Sequence, residues 1–401
     1  MSNRTMADRA AEALTTALAP IVEGGSPCGL TWGIDVDGER RVGALGHLDA
    51  GHSRATAADT IYRISSVTKP VTAVAALALV EDGTLALDAP VDDLLPELAD
   101  RRVLVRPDGP LEETEPVSRP ITVEDVLSFR LGHGMDFRAW GSPTPLDEAM
   151  TEAGLSAGPP APQRHLPADE WLALLGTFPL RHQPGERWLY NTGAEVLGVL
   201  IARATGTSLG SVLAERVLGP LRMRDTGFSV PTEQSERFGA CFWPPDPETG
   251  IAGIYDAADG QWASAPVFEG GDAGLVSTVD DLLAFGVMLR DGGATGGTRV
   301  LLPGSVAALT TNRLTTAQLA ANSPSPDGST GWGLGVGVAL SPTPSVVGSY
   351  GWDGGLGSAW RNDTARGLSA VLLTNEAWAA PVPTAVIEAF WKALAESVPV
   401  S

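Results

Sequence analysis

The strongest constraint on the fold is the placement of strand-like segments at the two ends of the chain. Near the start, Leu30, Trp32, Ile34 and Val36 alternate with small or polar residues, and Asp37-Gly38 supplies a hairpin turn into a second strand. Near the end, Trp332, Leu334, Val336 and Val338 alternate with glycine, and "LSAVLLTN" carries another strand to Asn375. An open strand edge needs a partner and a cover. The two ends therefore predict one shared antiparallel sheet. Its expected covers are an opening amphipathic helix in "MSNRTMADRAAEALTTALAPIVEGG" and a closing one in "VPTAVIEAFWKALAE".

Between the ends the hydrophobic period changes. "ALDAPVDDLLPEL", "ITVEDVLSF", "LPADEWLALLG", "NTGAEVLGVLIARATG" and "STVDDLLAFGVML" all have helical spacing. Thr122 and Thr278 are placed as N-caps, and Thr192 with Glu195 resembles a capping box. The Pro- and Gly-rich connector "GSPTPLDEAMTEAGLSAGPPAPQ" separates such segments. At 401 residues the expected fold is α+β, with residues 1–82 and 328–401 in a sheet-centred lobe and residues 83–327 in a mainly helical one. The active cleft is expected between the lobes.

Composition narrows the partners. Asp and Glu total 48 against 27 Lys and Arg, and the net charge of -21 disfavours nucleic acid and anionic membrane surfaces. No stretch reaches the roughly 18 consecutive apolar residues of a membrane span. The N-terminus lacks the apolar core of a secretory signal, so a cytoplasmic location is expected. Cys28 and Cys241 match no metal or redox spacing and are expected as separate reduced thiols. The histidines at 47, 52, 133, 165 and 182 include no HExxH pair, so neither metal nor cofactor is expected. Composition leaves the oligomeric state open.

Lysine occurs only at positions 69 and 392, and Lys69 follows Ser66 by three residues at the head of an apolar run. A helix from near Ser66 to Asp82-Gly83 is expected, with Pro70 in its first turn. Positions i and i+3 share a helix face, so the Lys69 amine can reach the Ser66 hydroxyl. Serine is a weak nucleophile while it holds its proton, and a neighbouring amine can take that proton. An amine in apolar surroundings with no task is costly.

In this context "YRISSVTKP" resembles the first motif of the serine beta-lactamase and penicillin-binding-protein-like hydrolases, closest to class C-like serine esterases of the family VIII carboxylesterase type. "GTLALDAPVDDLLPEL", "PGERWLYNTGAEVLG" and "GGDAGLVSTVDDLLAF" are further landmarks, and the likeness spans residues 30–391. The resemblance implies Ser66 as nucleophile, Lys69 as its partner, and Tyr190 sharing proton traffic with the lysine. It aligns Trp352-Asp353-Gly354 with the third motif, commonly Lys-Thr-Gly or His-x-Gly, and makes the Ser66 and Gly355 amides the oxyanion hole. Trp352, Asp353, Gly354 and Asn191 would then contact substrate, with Trp352 as an apolar wall. An aspartate facing the pocket would repel a substrate carboxylate.

Two departures stand out. Tyr190-Asn191-Thr192 puts asparagine one place earlier than the family's Tyr-x-Asn, and "FRLGHGMDF" replaces the frequent Thr-His-Thr-Ser-Gly. The implied activity is hydrolysis of small or medium carboxylic esters through an acyl-serine, with a small-molecule ester or amide as partner. A beta-lactamase, D-amino-acid peptidase or amidase, or acyltransferase would use the same site. A non-catalytic binding protein is a third reading.

Overall fold

The alternating segments at the two ends do meet in one sheet. The computed structural model describes residues 4–155, 158–342 and 346–400, so two positions of the long connector, 156–157, lie outside the described residues. The sheet strands are β1 (Gly29–Val36), β2 (Glu39–Gly46), β3 (Thr330–Trp332), β4 (Gly337–Ala339), β5 (Tyr350–Gly354), β6 (Ser358–Asp363) and β7 (Leu368–Thr374). Their order is β3-β4-β5-β6-β7-β1-β2. The early hairpin closes onto the last strand, with Leu30 opposite Thr374 and Val36 opposite Leu368 in antiparallel register.

The principal helices are α1 (Met6–Glu23), α2 (Thr68–Glu81), α3 (Ala168–Thr177), α4 (Thr192–Thr205), α5 (Val279–Arg290) and α6 (Ala385–Ser397). Helices α1 and α6 cover one sheet face, where Leu14, Leu18, Trp32, Ile34, Leu372 and Phe390 share a core. Helix α5 covers the other, its Leu283 and Phe285 packed in the cluster that holds Trp360 and Val371. Thus α5, from the middle of the chain, is also a sheet cover. With both faces covered, every residue of β1 is buried, including Thr31, Gly33 and Asp35. Gly33 permits the close approach of α5, since a Cβ there would lie 2.8 Å from Leu283 Cδ1.

Three local expectations are corrected. The alternation from Trp332 to Val338 is broken into β3 and β4 by a turn, where Gly333 N–H donates to Val336 O at 2.8 Å and Gly335 takes φ +88°. "ALDAPVDDLLPEL" forms turns and one short 3₁₀ segment, Pro96–Leu98, rather than an α-helix. Pro90 and Pro96 explain this, because proline removes an N–H and disfavours helical backbone before it. Finally, Thr192 is not a cap. The N-cap of α4 is Asn191 at φ +78°, it makes no capping bond with its side chain, and Glu195 faces the interior. Thr122 and Thr278 do cap their helices, accepting from Asp125 N–H and Asp281 N–H.

The contact between α5 and the sheet leaves no room at Gly286. A Cβ there would lie 2.2 Å from Ser369 Oγ and 2.6 Å from Trp360 Nε1. We expect Gly286→Val to destabilise the protein by about 1–3 kcal/mol through overpacking. A thermal melt of the variant showing the parental midpoint would contradict this packing.

Candidate active site

The centre is built on a turn clamped from several sides. Tyr62–Arg63 pairs with Val276–Ser277 as a short two-stranded ribbon. The buried Arg63 guanidinium donates to Asp256 Oδ2 at 2.7 Å and to the carbonyls of Gly239 and Ala257 at 2.9 Å. Ile64 N–H donates to Leu275 O at 3.0 Å, and Ile64 O accepts from Ser358 Oγ at 2.6 Å. Held in this way, Ser65 takes φ +44°, and the chain enters a 3₁₀ turn, Ser65–Val67, that runs into α2. Left-handed backbone at a non-glycine residue is strained and persists only where its surroundings enforce it.

One turn further, the Lys69 amine is buried, with 1% of the residue exposed. Its Nζ donates to Ser66 Oγ at 3.0 Å and to Asp272 O at 2.9 Å. It also lies 4.5 Å from the centroid of the Tyr190 ring, within cation–π range. Ser66, Lys69 and Tyr190 are therefore brought together.

Tyr190 is held by the segment that departs from the family pattern. Met135 and Tyr190 exchange backbone bonds of 2.8 Å in both directions. Gly134, at φ +135°, permits this, because a Cβ would lie 2.6 Å from Tyr190 O. Phe129, Phe137, Trp188 and Trp332 surround the phenol ring at centroid distances of 4.9–6.2 Å. Trp352 Nε1 donates to the Tyr190 hydroxyl at 2.7 Å. Motif spacing carried no sign of this bond, although a tryptophan at the lysine or histidine position of the third motif was its visible trace.

Asp353 is turned toward Arg361. Successive strand residues point to opposite faces, and its Oδ2 sits 3.6 Å from the Arg361 guanidinium, which stacks 4.5 Å over Trp391. Burial pushes the Asp353 carboxyl above its ordinary range, and Arg361 opposes that shift. Asp353, Arg361 and Trp391 line the cleft together with Trp352, and the Asp353 carboxyl is paired with Arg361 there.

Gly354 packs under the turn, where a Cβ would lie 2.6 Å from Ile64 O and 3.1 Å from Ser66 N. Gly355 follows with its open side on the cleft. Its carbonyl accepts from Trp378 N–H at 2.8 Å, while its own N–H has no acceptor among the described residues. The Ser66 N–H lies in the first turn of a helix, where no intrahelical acceptor exists. Asn191 lines the cleft with Ser66 and donates from Nδ2 to Asp272 Oδ2 at 3.0 Å. Asp272, Glu195 and His165, none of them expected at the site, line a cavity with it. Burial raises the Glu195 carboxyl well above its ordinary range, assisted by Asp272 and opposed by Lys69, and burial lowers His165.

The cleft in front of Ser66 has a volume of about 910 Å³, with Trp140, Trp243, Trp352 and Trp378 in its walls. Among the described residues no group of three or more His, Cys, Asp or Glu side chains is arranged to hold a metal. Cys28 and Cys241 are free thiols.

A helix-covered antiparallel sheet, an inserted helical region and a Ser-x-x-Lys turn at the floor of a cleft define a beta-lactamase-like architecture. The Beta-lactamase family model matches residues 8–385, and the chain belongs to that family, in its class C-like branch of esterases and acyltransferases. An uncharacterized protein of Mycobacterium tuberculosis is 34% identical over 343 residues, covering 83% of this chain and 82% of its own. Esterase EstB of Burkholderia gladioli is 33% identical over 358 residues, covering 84% and 83%. Among solved structures, EstCE1, a hydrolase with promiscuous acyltransferase activity, has the same fold with a TM-score of 0.79 at 24% identity, over 96% of this chain and 98% of that one. These matches support serine-hydrolase-type chemistry and catalytic activity.

The wall that holds Tyr190 also carries a buried titratable group. Burial lowers His133 from 6.5 to about 3, with Arg181 and Arg101 adding to the shift. Gly134 N–H donates to its Nδ1 at 2.8 Å, which suits a neutral ring. Well above pH 6.5 neither state is protonated, so this residue adds no pH dependence there. As pH falls below that value the unfolded chain gains a proton that the folded one refuses, and stability drops by up to about 1.4 kcal/mol per pH unit until about pH 3. We expect His133→Asn to show a shallower loss of unfolding free energy between pH 6 and 4 by chemical denaturation. An unchanged slope would contradict the neutral buried ring.

Proposed function

We propose that the protein is a serine carboxylesterase that works through a covalent acyl-serine. The observation that carries this reading is the Lys69 Nζ–Ser66 Oγ distance of 3.0 Å, with the Tyr190 ring against the same amine. In the proposed sequence Ser66 Oγ attacks the ester carbonyl while Lys69 takes its proton. The Ser66 and Gly355 amides hold the oxyanion, where fixed donors act most strongly. Tyr190 passes a proton to the departing alcohol, and an incoming water reverses these steps to release the acid.

Trp352 favours neutral esters over beta-lactams. Its indole N–H is committed to the Tyr190 oxygen, so this position brings an apolar face rather than a cation to the cleft. A substrate whose carboxylate must be held loses transition-state stabilisation here, whereas a neutral ester loses little. Arg361, which also lines the cleft, is engaged by Asp353 at 3.6 Å. The name of esterase EstB agrees with the ester reading. Acyl transfer to an alcohol is a second reading, favoured by a cleft of about 910 Å³, larger than a short ester requires. Acyltransferase mokF of Monascus pilosus is a partial relative with that name.

We expect Ser66→Ala to abolish labelling by a serine-reactive phosphonate in mass spectrometry, and undiminished labelling would remove Ser66 as nucleophile. Tyr190→Phe should fold normally and lose turnover by about 10²–10⁴-fold. Near-parental kcat in that variant would take the phenol out of the proton path. With one enzyme preparation, kcat/KM for a neutral short-chain aryl ester should exceed that for a cephalosporin. The opposite ranking would move the chain to amide-directed chemistry.

A further inference from the structure

A second cavity lies behind Asn191. It has a volume of about 290 Å³, and its walls include Arg164, His165, Glu195 and Asp272. Asn191, Asp272, Ala273 and the Gly158-Pro159-Pro160 backbone border both this cavity and the main cleft, so the two spaces adjoin beside the reacting centre. Asp272 belongs to both, and its carbonyl holds the Lys69 amine.

The two spaces differ in chemistry. The cleft is rich in tryptophan, whereas the cavity gathers two carboxyls, an imidazole and a guanidinium. Glu195 is only 6% exposed, and its one ion-pairing contact within 4 Å among the described residues is His165 Nε2 at 3.9 Å. Asn191, whose amide is bonded to Asp272, is a further polar neighbour, and the charges of Asp272 and Lys69 also act on it. A buried carboxyl beside a second carboxyl is a costly way to fill space, and the proton path through Ser66, Lys69 and Tyr190 makes no use of it. Burial and Asp272 favour the protonated Glu195, with Lys69 opposing, and burial favours the neutral His165. A protonated carboxyl donates a hydrogen bond and a neutral imidazole can accept one. That pair suits a small neutral hydroxyl compound.

We propose that this cavity is the acceptor port, through which water or a small neutral alcohol reaches the acyl-Ser66 ester while the acyl group occupies the aromatic cleft. The inference rests on the acyl-serine reading. In the step, the acceptor oxygen forms a bond to the acyl carbon and the bond from that carbon to Ser66 Oγ breaks. The acceptor proton passes to the Lys69–Tyr190 pair, and Ser66 Oγ regains a proton from it. Glu195 and His165 orient the acceptor hydroxyl before the attack.

The test separates acylation from deacylation, using a chromogenic aryl ester with and without added methanol. Ala161 borders the side cavity but not the cleft, so Ala161→Phe fills the port alone. In that variant the acylation burst should stay within about twofold of the parent, while steady-state turnover falls by about tenfold and acyl-enzyme accumulates in the mass spectrum. Glu195→Leu should change the ratio of methyl ester to free acid formed at fixed methanol, and Glu195→Gln, which keeps a donor, should restore it. Parental turnover in Ala161→Phe together with a parental product ratio in Glu195→Leu would overturn the port. A normal burst with normal turnover overturns it too, since the burst reports a folded site. Absence of any acyl-enzyme in the parent would instead overturn the acyl-serine reading.

Discussion

Everything at the centre follows from burying one amine. Lys69 has 1% of its surface exposed, and an ammonium or amine removed from water must find its partners inside the protein. The fold supplies them from three separate stretches of chain: Ser66 Oγ from the turn that leads into α2, the Asp272 carbonyl, and the face of Tyr190. The turn carrying Ser66 is tied to the β5–β6 hairpin through Ser358 and to the 275–277 stretch through Leu275, so the sheet itself positions the serine.

The second organising feature is aromatic. Tyr190 sits among Phe129, Phe137, Trp188, Trp332 and Trp352, which share one cluster of buried and partly buried side chains. Such a wall restrains the phenol by packing, and the Trp352 indole adds a directed bond to its oxygen. The same indole gives the cleft an apolar face where a cation would favour charged substrates. The lining of the cleft and the orientation of the tyrosine are thereby linked through one side chain. Asp353, the next residue, is carried by strand alternation to Arg361 and takes no direct part in that linkage.

Much of this was legible along the chain. The period-2 segments at both ends specified a shared sheet because their apolar faces need cover and their buried backbone groups need hydrogen-bond partners. Ser66 and Lys69 were legible because three residues make nearly one helical turn. Other local signals misled. Pro90 and Pro96 overrode the helical spacing of their segment, and Thr192 with Glu195 imitated a capping box while the helix began from Asn191. In both cases the backbone, constrained by proline or by a left-handed residue, outweighed a side-chain pattern.

The sequence by itself determined the elements whose causes are local: strand alternation, the caps at Thr122 and Thr278, and the Ser66–Lys69 spacing at the entry to α2. Only the tertiary structure decided which distant groups meet. The bond from Trp352 to Tyr190 joins residues 162 positions apart, and the Lys69–Asp272 contact spans 203. It also decided that Asp353 turns to Arg361 and that Glu195, a helix-start acid in sequence, becomes a buried carboxyl beside Asp272. Hydrogen bonds and desolvation depend on distance in space, and a chain records only distance along itself.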